Sequence, residues 1–217
     1  TIAGQVSIAV ENARLYEALE GNCFNMIRSL AASLEAKDRY TSGHSHRVSK
    51  YSSAIANIMG VSDKEKETLR HAALLHDIGK IGISEHILNK TDRLDDSEFN
   101  IIKSHPSTGE RIMKPLFFLD DAIHHVRGHH ESFNGVGYPD GLGGEDLPLL
   151  TRIMTVADSF DAMTSERTYR PLMNTNKAVS ELKRVAGKQF CPEVVDVFAS
   201  CEIIKIKSDL EACAKER

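Results

Sequence analysis

The sequence has little cysteine, no tryptophan and no long apolar stretch. Only four cysteines occur among 217 residues, and no two of them have the Cys-x-x-Cys spacing of a redox or metal-binding motif. We therefore expect reduced thiols rather than a disulfide framework, which indicates a cytoplasmic protein. No uninterrupted apolar run approaches the length needed to span a bilayer, so we expect no membrane segment.

An excess of positive charge is also absent. The formal net charge is -4, which does not favour binding to duplex nucleic acid, although a local pocket can still be basic. The chain starts at Thr1 rather than at a Met, shows no signal peptide and opens within a helical pattern. We therefore expect a fragment of a longer cytoplasmic protein, with enough residues to bury a full core.

Residues 1–37 form the first predicted unit, a long helix with an apolar seam. Apolar residues recur at intervals of three or four: Ile2, Val6, Ala9, Ala13, Tyr16, Cys23, Ile27, Leu30 and Leu34. A spacing that averages about 3.5 residues is typical of a coiled coil. Two interpretations stay open, a signalling helix that forms a homodimer and a long helix that packs on its own domain. The stretch from Ala3 to Tyr16 also resembles the closing helix of GAF sensory domains.

Helical patterns dominate residues 38–217, the second predicted unit, and predict an all-α fold. They cover residues 43–59, 62–79, 95–104, 106–113, 119–130, 149–163, 174–186 and 192–200. Ser62 and Glu65 have capping-box spacing, and Pro106 and Pro192 suit the first turn of a helix. Two segments differ from this pattern. Residues 202–207 read like a strand, and residues 131–148 hold five glycines and two prolines, as in a structured loop that approaches a ligand.

Several of the ten histidines lie near carboxylates in apolar surroundings. His76 and Asp77 follow an apolar run at the end of a predicted helix. Burial of a carboxylate beside an imidazole is costly there unless a partner such as a metal cation is present. Lys80 falls on the same predicted helical face, and its charge suits a phosphate substrate.

Further candidate ligands recur along the chain: His44, His105, His129, His130 and Asp158. Each one alone has a structural interpretation, as a hydrogen-bonded histidine, a helix-start residue or a buried carboxylate. Together with His76 and Asp77 they make five histidines and two aspartates without thiolate, which indicates iron or manganese rather than structural zinc. A carboxylate such as Asp77 can bridge two metal ions, and such a pair suits phosphoryl displacement.

The order of these motifs resembles the HD-GYP family. The motifs are Gly43-His44-Ser45, His76-Asp77-Ile78-Gly79-Lys80-Ile81-Gly82, His105-Pro106, His129-His130-Glu131, Gly135-Val136-Gly137-Tyr138-Pro139 and Asp158-Ser159-Phe160-Asp161-Ala162-Met163-Thr164. The resemblance covers about residues 30–200 and implies an HD-type helical bundle with a glycine-rich GYP loop. It also implies hydrolysis of cyclic di-GMP to pGpG, in some members on to GMP, with a metal-bridging hydroxide as the nucleophile.

The same resemblance implies a role for individual residues. The metal ligands would be His44, His76, Asp77, His105, His129, His130 and Asp158, with Asp77 as the bridge. Lys80 would contact the substrate phosphate. Asp161, Arg167 and Arg170 would line the substrate pocket, although the two arginines by themselves could equally mark a solvated helix end. Tyr138 either lines this pocket or rigidifies its loop.

A second histidine pair, His124-His125, lies five residues before His129-His130. Spacing alone does not choose between the pairs, whereas Glu131 and the GYP loop favour the later one. Tyr40 occupies the position at which some family members carry a glutamate that supports a third metal, so we expect two metal ions. We interpret the remaining histidines as structural or exposed: His46, His71 and His86.

The sequence therefore predicts a phosphodiesterase with two divalent ions, iron or manganese, and a cyclic dinucleotide as substrate. Three alternatives are another cyclic dinucleotide such as cyclic GMP-AMP, a catalytically weak domain that senses the nucleotide, and a general His-Asp hydrolase of nucleoside phosphates. The loop at residues 131–148 disfavours the last of these.

Overall fold

The computed structural model describes residues 2–38, 43–165 and 172–200, which are built from α-helices. The helices are α1 (Ile2–Lys37), α2 (His44–Ile58), α3 (Asp63–Leu75), α4 (Glu85–Leu88), α5 (Asp96–Lys103), α6 (His105–Met113), α7 (Asp120–Gly128), α8 (Leu149–Thr164), α9 (Thr175–Arg184) and α10 (Pro192–Phe198). Short 3-10 helices span Ile78–Gly82, Phe117–Leu119 and Gly144–Asp146. The described residues contain an isolated bridge but no β-strand, which confirms the all-α prediction. The predicted strand at residues 202–207 lies outside them.

Helix starts follow the sequence signals closely. The Ser62 hydroxyl accepts a hydrogen bond from the Glu65 amide, while the Glu65 carboxylate accepts one from the Ser62 amide, as the predicted capping box requires. Pro106 and Pro192 both lie in the first turn of their helices. The loop at residues 131–148 has no helix except the short 3-10 turn.

The helix predicted over residues 62–79 ends earlier, at Leu75. A 3-10 turn from Ile78 to Gly82 replaces its last part, with the Lys80 amide bonded to the Asp77 carbonyl at 2.8 Å. Packing explains the break, because the backbone at Gly79 lies against the start of α6 too closely to admit a side chain. His76 and Asp77 are thereby placed at a corner between α3 and this turn.

The core lies between α2, α3 and α8, with α10 closing one side. Three fully buried aromatic rings join these elements: Tyr51 contacts Phe160 at 5.3 Å between ring centroids, and Phe160 contacts Phe198 at 4.6 Å. Burial of side chains this large removes apolar area from water and contributes about 1.5–3 kcal/mol each. The packed core fixes α2 and α8, which carry the first and last candidate ligands.

The two halves of α1 have different surroundings. Its apolar residues near the start are exposed, among them Ile2, Val6 and Tyr16, whereas Ile27 and Leu34 are buried in the core. Packing on its own domain therefore holds for the last turns of the helix. The exposed first half keeps the coiled-coil interpretation open, and the domain boundary near residue 37 and the GAF-like origin of the start stay predictions. Across the described ranges, no helix combines the length and apolarity needed to cross a membrane.

Candidate metal centre

All seven predicted ligands come together in one cluster, and most of them sit at helix ends. His44 and His105 are the first residues of α2 and α6. Two adjacent pairs, His76-Asp77 and His129-His130, follow the last turns of α3 and α7, and Asp158 comes from the middle of α8. A helix end lets the backbone change direction, so that side chains from five segments can point to a common centre.

The ligand atoms form two groups of three. In the first group, His44, His76 and Asp77 offer ligand atoms that lie within 4.8 Å of one another. In the second group, His105, His129 and His130 do the same. Asp158 belongs beside the first group, with its Oδ1 3.2 Å from His44 Nε2 and 3.9 Å from His76 Nε2.

Asp77 connects the two groups. Its Oδ2 lies 3.4 Å from His76 Nε2, whereas its Oδ1 lies 3.4 Å from His105 Nε2. The two oxygens of this one carboxylate therefore face different groups. A carboxylate that binds one cation with each oxygen needs this arrangement. The bridging role of Asp77 stays a prediction.

Backbone carbonyls orient three of the imidazoles. His76 Nδ1 lies 2.9 Å from the Ala73 carbonyl oxygen, and the corresponding distances are 2.7 Å from His105 to Ile102 and 2.6 Å from His129 to Val126. A carbonyl oxygen only accepts hydrogen bonds, so Nδ1 carries the proton in each ring. In the neutral form of such a ring, Nε2 has a lone pair that can bind a metal ion, as in metal-ligating histidines.

His129 and Asp77 have the protonation states that metal binding requires. Burial, reinforced by the neighbouring histidines, holds the pKa of His129 well below its usual value. Burial by itself raises the pKa of Asp77, but Lys80 and the histidines outweigh it and lower that pKa well below the ordinary range. Neutral imidazoles and ionised carboxylates are the forms that bind metal ions.

The spacing of two neighbouring imidazoles fits a cation bound between them. His105 Nε2 and His129 Nε2 are 3.1 Å apart, and both carry lone pairs because their Nδ1 atoms hold the protons. Two lone pairs at this distance repel each other unless a cation binds both. A donor set of imidazole nitrogens and carboxylate oxygens without thiolate fits iron or manganese.

A carboxylate, rather than a backbone carbonyl, orients the His44 ring. Its Nδ1 lies 2.7 Å from Asp161 Oδ2, and Arg47 in turn donates to both oxygens of Asp161, at 2.7 and 3.0 Å. Although burial lowers the pKa of His44, its hydrogen bonds to Asp158 and Asp161 raise it to about 9. A metal ion that binds His44 Nε2 therefore has to displace a proton.

These contacts give Asp161 a structural role beside His44, whereas the resemblance places it in the substrate pocket. The carboxylate is 1% exposed, and its oxygens are engaged by His44, Arg47 and the Ser165 hydroxyl. In this position Asp161 orients His44 through its Nδ1, the ring nitrogen opposite the metal-binding Nε2. A substrate contact would have to displace one of the three partners of Asp161. Its predicted contact with substrate is untested.

Lys80 lies at the partly exposed edge of the cluster. Its ammonium donates to Asp77 Oδ2 at 2.8 Å and to Asp38 Oδ2 at 3.3 Å. Burial lowers the pKa of Lys80, but the charges of Asp77 and Asp38 outweigh it and raise that pKa, so the ammonium is charged. A fixed positive charge beside the proposed bridge suits an incoming phosphate.

Tyr138 lies beside His130, a ligand of the second group. Its ring stacks on the His130 ring, with 4.8 Å between centroids and 28° between planes. Of the two roles left open for Tyr138, this contact favours the one in which it lines the site. The other predicted pocket residues, Arg167 and Arg170, lie outside the described residues, as does Tyr40.

The remaining histidines behave as expected. His125 is buried and bonds to the Thr151 hydroxyl at 2.7 Å, away from the two groups of ligands. His129-His130 is therefore the pair that joins the cluster. His46 and His86 are exposed, and His71 is half-buried beside Phe24.

Sequence reasoning missed the last turn of α1, which holds two parts of the site. The Glu35 carboxylate accepts hydrogen bonds from the amides of Gly43 and Ser45, which flank His44, at 2.7 and 3.0 Å. The Lys37 ammonium donates to the carbonyls of Ile81 and Ile83, at 2.8 and 2.7 Å, in the turn that follows Asp77. No motif signals these contacts, because the partners are backbone amides and carbonyls, which every residue carries.

Comparison with known proteins agrees with this geometry. The sequence model of the HD domain matches residues 28–194. A 3'3'-cGAMP-specific phosphodiesterase 3 from Vibrio cholerae is 41% identical over 74% of this chain and 35% of its own length. A cyclic di-GMP phosphodiesterase from Thermotoga maritima is 39% identical over 82% of this chain and 49% of its own. The chain thus spans less than half the length of these two curated relatives.

Among solved structures, a HDG"Y"P protein from Bdellovibrio bacteriovorus superposes with a TM-score of 0.62. The match covers 75% of this chain and 51% of that protein at 24% identity, so it bears on the fold alone. The fold, the ligand cluster and the match of the HD domain model to residues 28–194 lead to one conclusion: this chain belongs to the HD domain family.

Proposed function

We propose that this chain hydrolyses a phosphodiester bond of a cyclic dinucleotide, with cyclic di-GMP as substrate and pGpG as product. A second cleavage, of pGpG, would give GMP. The observation that carries the proposal is the pair of histidine groups joined by the two oxygens of Asp77. The names of the relatives from Thermotoga maritima and Vibrio cholerae support this substrate class.

The proposal includes two divalent ions per chain, iron or manganese. When bound, two such ions activate water and stabilise charge on phosphate oxygens. The protein residues hold and orient: His44, His76 and Asp158 offer donors on one side of Asp77, and the second histidine group offers donors on the other. Lys80 adds a positive charge beside Asp77 for the substrate phosphate.

Cyclic GMP-AMP is the second candidate substrate, because the 41% identical relative bears the name of a cGAMP-specific enzyme. A turnover assay on anaerobically prepared, metal-loaded protein tests both candidates. Cyclic di-GMP and 3'3'-cGAMP are supplied separately, and chromatography identifies the linear products. Binding of either nucleotide without turnover would replace the enzyme proposal with a sensing domain.

Elemental analysis of the same preparation tests the metal proposal, with two ions per chain expected. A content well below one ion per chain would exclude the two-metal centre. Lys80→Ala separates substrate contact from metal assembly, because Lys80 has no place among the ligands. We expect unchanged metal content and a rate lowered on the order of 10²–10³-fold. Loss of metal in this variant would contradict the role of Lys80.

We also propose that the first half of α1 forms a homodimer. Its apolar seam is exposed, at 81% for Ile2, 56% for Val6 and 68% for Tyr16, and an isolated helix of this kind is unstable in water. Asp at both Val6 and Ala13 should yield monomers that keep their metal, by sedimentation and elemental analysis. Asp at Gln5 and Asn12, off the seam, is the matched control. A seam variant that stays dimeric would contradict the proposal.

A further inference from the structure

A row of four side chains leads outward from the metal cluster. Tyr138 stacks on the ligand His130, the Lys103 ammonium lies 5.6 Å from the centre of the Tyr138 ring, and the same ammonium lies 4.7 Å from the centre of the Phe99 ring. These distances place Lys103 Nζ within about 10 Å of the His130 ring. The row is therefore a wall of the site that begins at the metal ligands.

The helical side of this wall is built by α5. Phe99 and Lys103 are four residues apart, so they share one face of the helix. The residue before Lys103 is fixed as well, because the carbonyl of Ile102 accepts the hydrogen bond from His105 Nδ1 at 2.7 Å. The end of α5 is thus tied to a metal ligand.

The loop side of the wall is held by two charged residues. The Glu131 carboxylate accepts hydrogen bonds from the amides of Asp140 and Gly141, at 2.6 and 3.0 Å. Arg127 donates to both oxygens of Asp140, each at 2.7 Å, and also reaches Glu110 on α6. Tyr138 is therefore presented by an anchored loop, which makes the wall preorganised for a ligand.

Two polar groups of the wall, the Lys103 ammonium and the Tyr138 hydroxyl, can serve a ligand. In the part of the chain that the structure describes, neither the Lys103 ammonium nor the Tyr138 hydroxyl has a hydrogen-bond or carboxylate partner. Lys80, by contrast, is paired with two carboxylates. Phe99 is 44% exposed, so its ring is accessible from solvent. A charged donor between two aromatic faces is left for a ligand.

This combination suits a nucleobase. Aromatic faces stack on bases, and a lysine donates to O6 and N7 of guanine, whereas adenine presents an amino donor at the corresponding position. A phosphate would also attract the ammonium but would gain nothing from the flanking rings. From the geometry we infer that Phe99, Lys103 and Tyr138 form a base subsite that selects guanine. This rests on the proposed function, since the subsite presupposes a nucleotide whose phosphate lies at the metal cluster.

The test compares Lys103→Met with the wild-type chain on cyclic di-GMP and cyclic di-AMP. Methionine keeps the apolar length of the side chain but removes the charge and the donors. We measure kcat/KM for both substrates, and the dissociation constant of each by calorimetry, on the wild-type chain and on Lys103→Met. The wild-type chain should prefer the guanine substrate, and Lys103→Met should lower this preference on the order of tenfold to a hundredfold.

Two further variants complete the design. Phe99→Leu should weaken binding of both substrates alike, because stacking does not distinguish the bases. Lys64→Met removes a lysine whose side chain is 83% exposed and should change neither preference nor metal content. Metal content should also be unchanged in Lys103→Met, since Lys103 is outside the ligand groups.

Each other outcome has a definite meaning. Equal losses on both substrates in Lys103→Met would assign Lys103 to a phosphate and overturn the base subsite, as would a wild-type chain without preference for guanine. Binding with this preference but without turnover would overturn the proposed activity and leave the subsite standing. A chain that neither binds nor cleaves the two nucleotides would overturn both.

Discussion

The variant Gly79→Ala adds one methyl group and tests whether close backbone packing positions the candidate metal ligands. Gly79 lies in the 3-10 turn after Asp77, where an added Cβ would overlap the carbonyl oxygen of His105 and lie 2.6 Å from the Gly109 amide nitrogen. Real Cβ atoms essentially never approach other heavy atoms within 3.0 Å. Both neighbours are backbone atoms of α6, so no side chain can rotate away, and Gly79→Ala must displace either the turn or the start of α6.

The required displacement is on the order of 1 Å, and misplacement of this size can lower a rate by about 10²-fold. Overpacking of this kind also lowers the free energy of unfolding by about 1–3 kcal/mol. We therefore expect Gly79→Ala to lose metal, because the turn carries Asp77 and α6 carries His105. Urea unfolding reports the stability, and elemental analysis and turnover report the site.

Gly82→Ala is the matched control in the same turn. Its added Cβ would lie 3.4 Å from the Thr108 side chain, which is ordinary contact, and Gly82 is exposed. We expect this variant to keep its metal and its rate. If Gly79→Ala behaved like Gly82→Ala in all three measurements, the close packing of the turn against α6 would not be what positions the ligands.

Three further perturbations follow from the same geometry. Asp77→Asn should lose at least one metal ion and turnover. The control Asp121→Asn, at an exposed carboxylate paired with a lysine, should keep both. Retained metal with a near-normal rate in Asp77→Asn would refute the bridging role. Lys37→Met removes charged hydrogen bonds to the carbonyls of Ile81 and Ile83, after Asp77. It should lower the free energy of unfolding by about 1.5–3 kcal/mol and should also lower the metal content. Burial lowers the pKa of His125 to about 3, below its unfolded value, so its contribution to stability is present above about pH 6.5 and is lost as the pH falls towards 3. His125→Gln should therefore flatten the decline in unfolding free energy over this range, by at most about 1.4 kcal/mol per pH unit, and an unchanged pH profile would show that His125 does not titrate as its burial implies.

The last turns of α1 link the exposed seam to the metal centre. Glu35 bonds the start of α2, and Lys37 bonds the turn after Asp77, so one helix end contacts segments from both sides of the cluster. The same helix carries the exposed seam at its start. The exposed seam and the hydrogen bonds to the ligand segments thus belong to one helix.

Local chemistry in the sequence determined the helical class, most helix starts and the set of candidate metal ligands. Capping at Ser62 and the first-turn prolines depend on neighbours within four residues, so the pattern alone carries them. Histidine and aspartate were recognisable as ligands because a buried imidazole beside a buried carboxylate requires a partner. The end of α3 at Leu75 was missed, since the cause is the contact of Gly79 with a distant helix.

The tertiary structure alone decided how these residues act together. Asp161 orients His44 across 117 residues of sequence, and Lys37 holds the carbonyl of Ile81 across 44. Local periodicity contains no information on such pairs, because the folded core sets which helix ends meet. The division of the two Asp77 oxygens between two histidine groups likewise depends on the relative placement of α3 and α6. Residue types therefore determined which chemistry is available, and the packing of helices decided which atoms face one another to perform it.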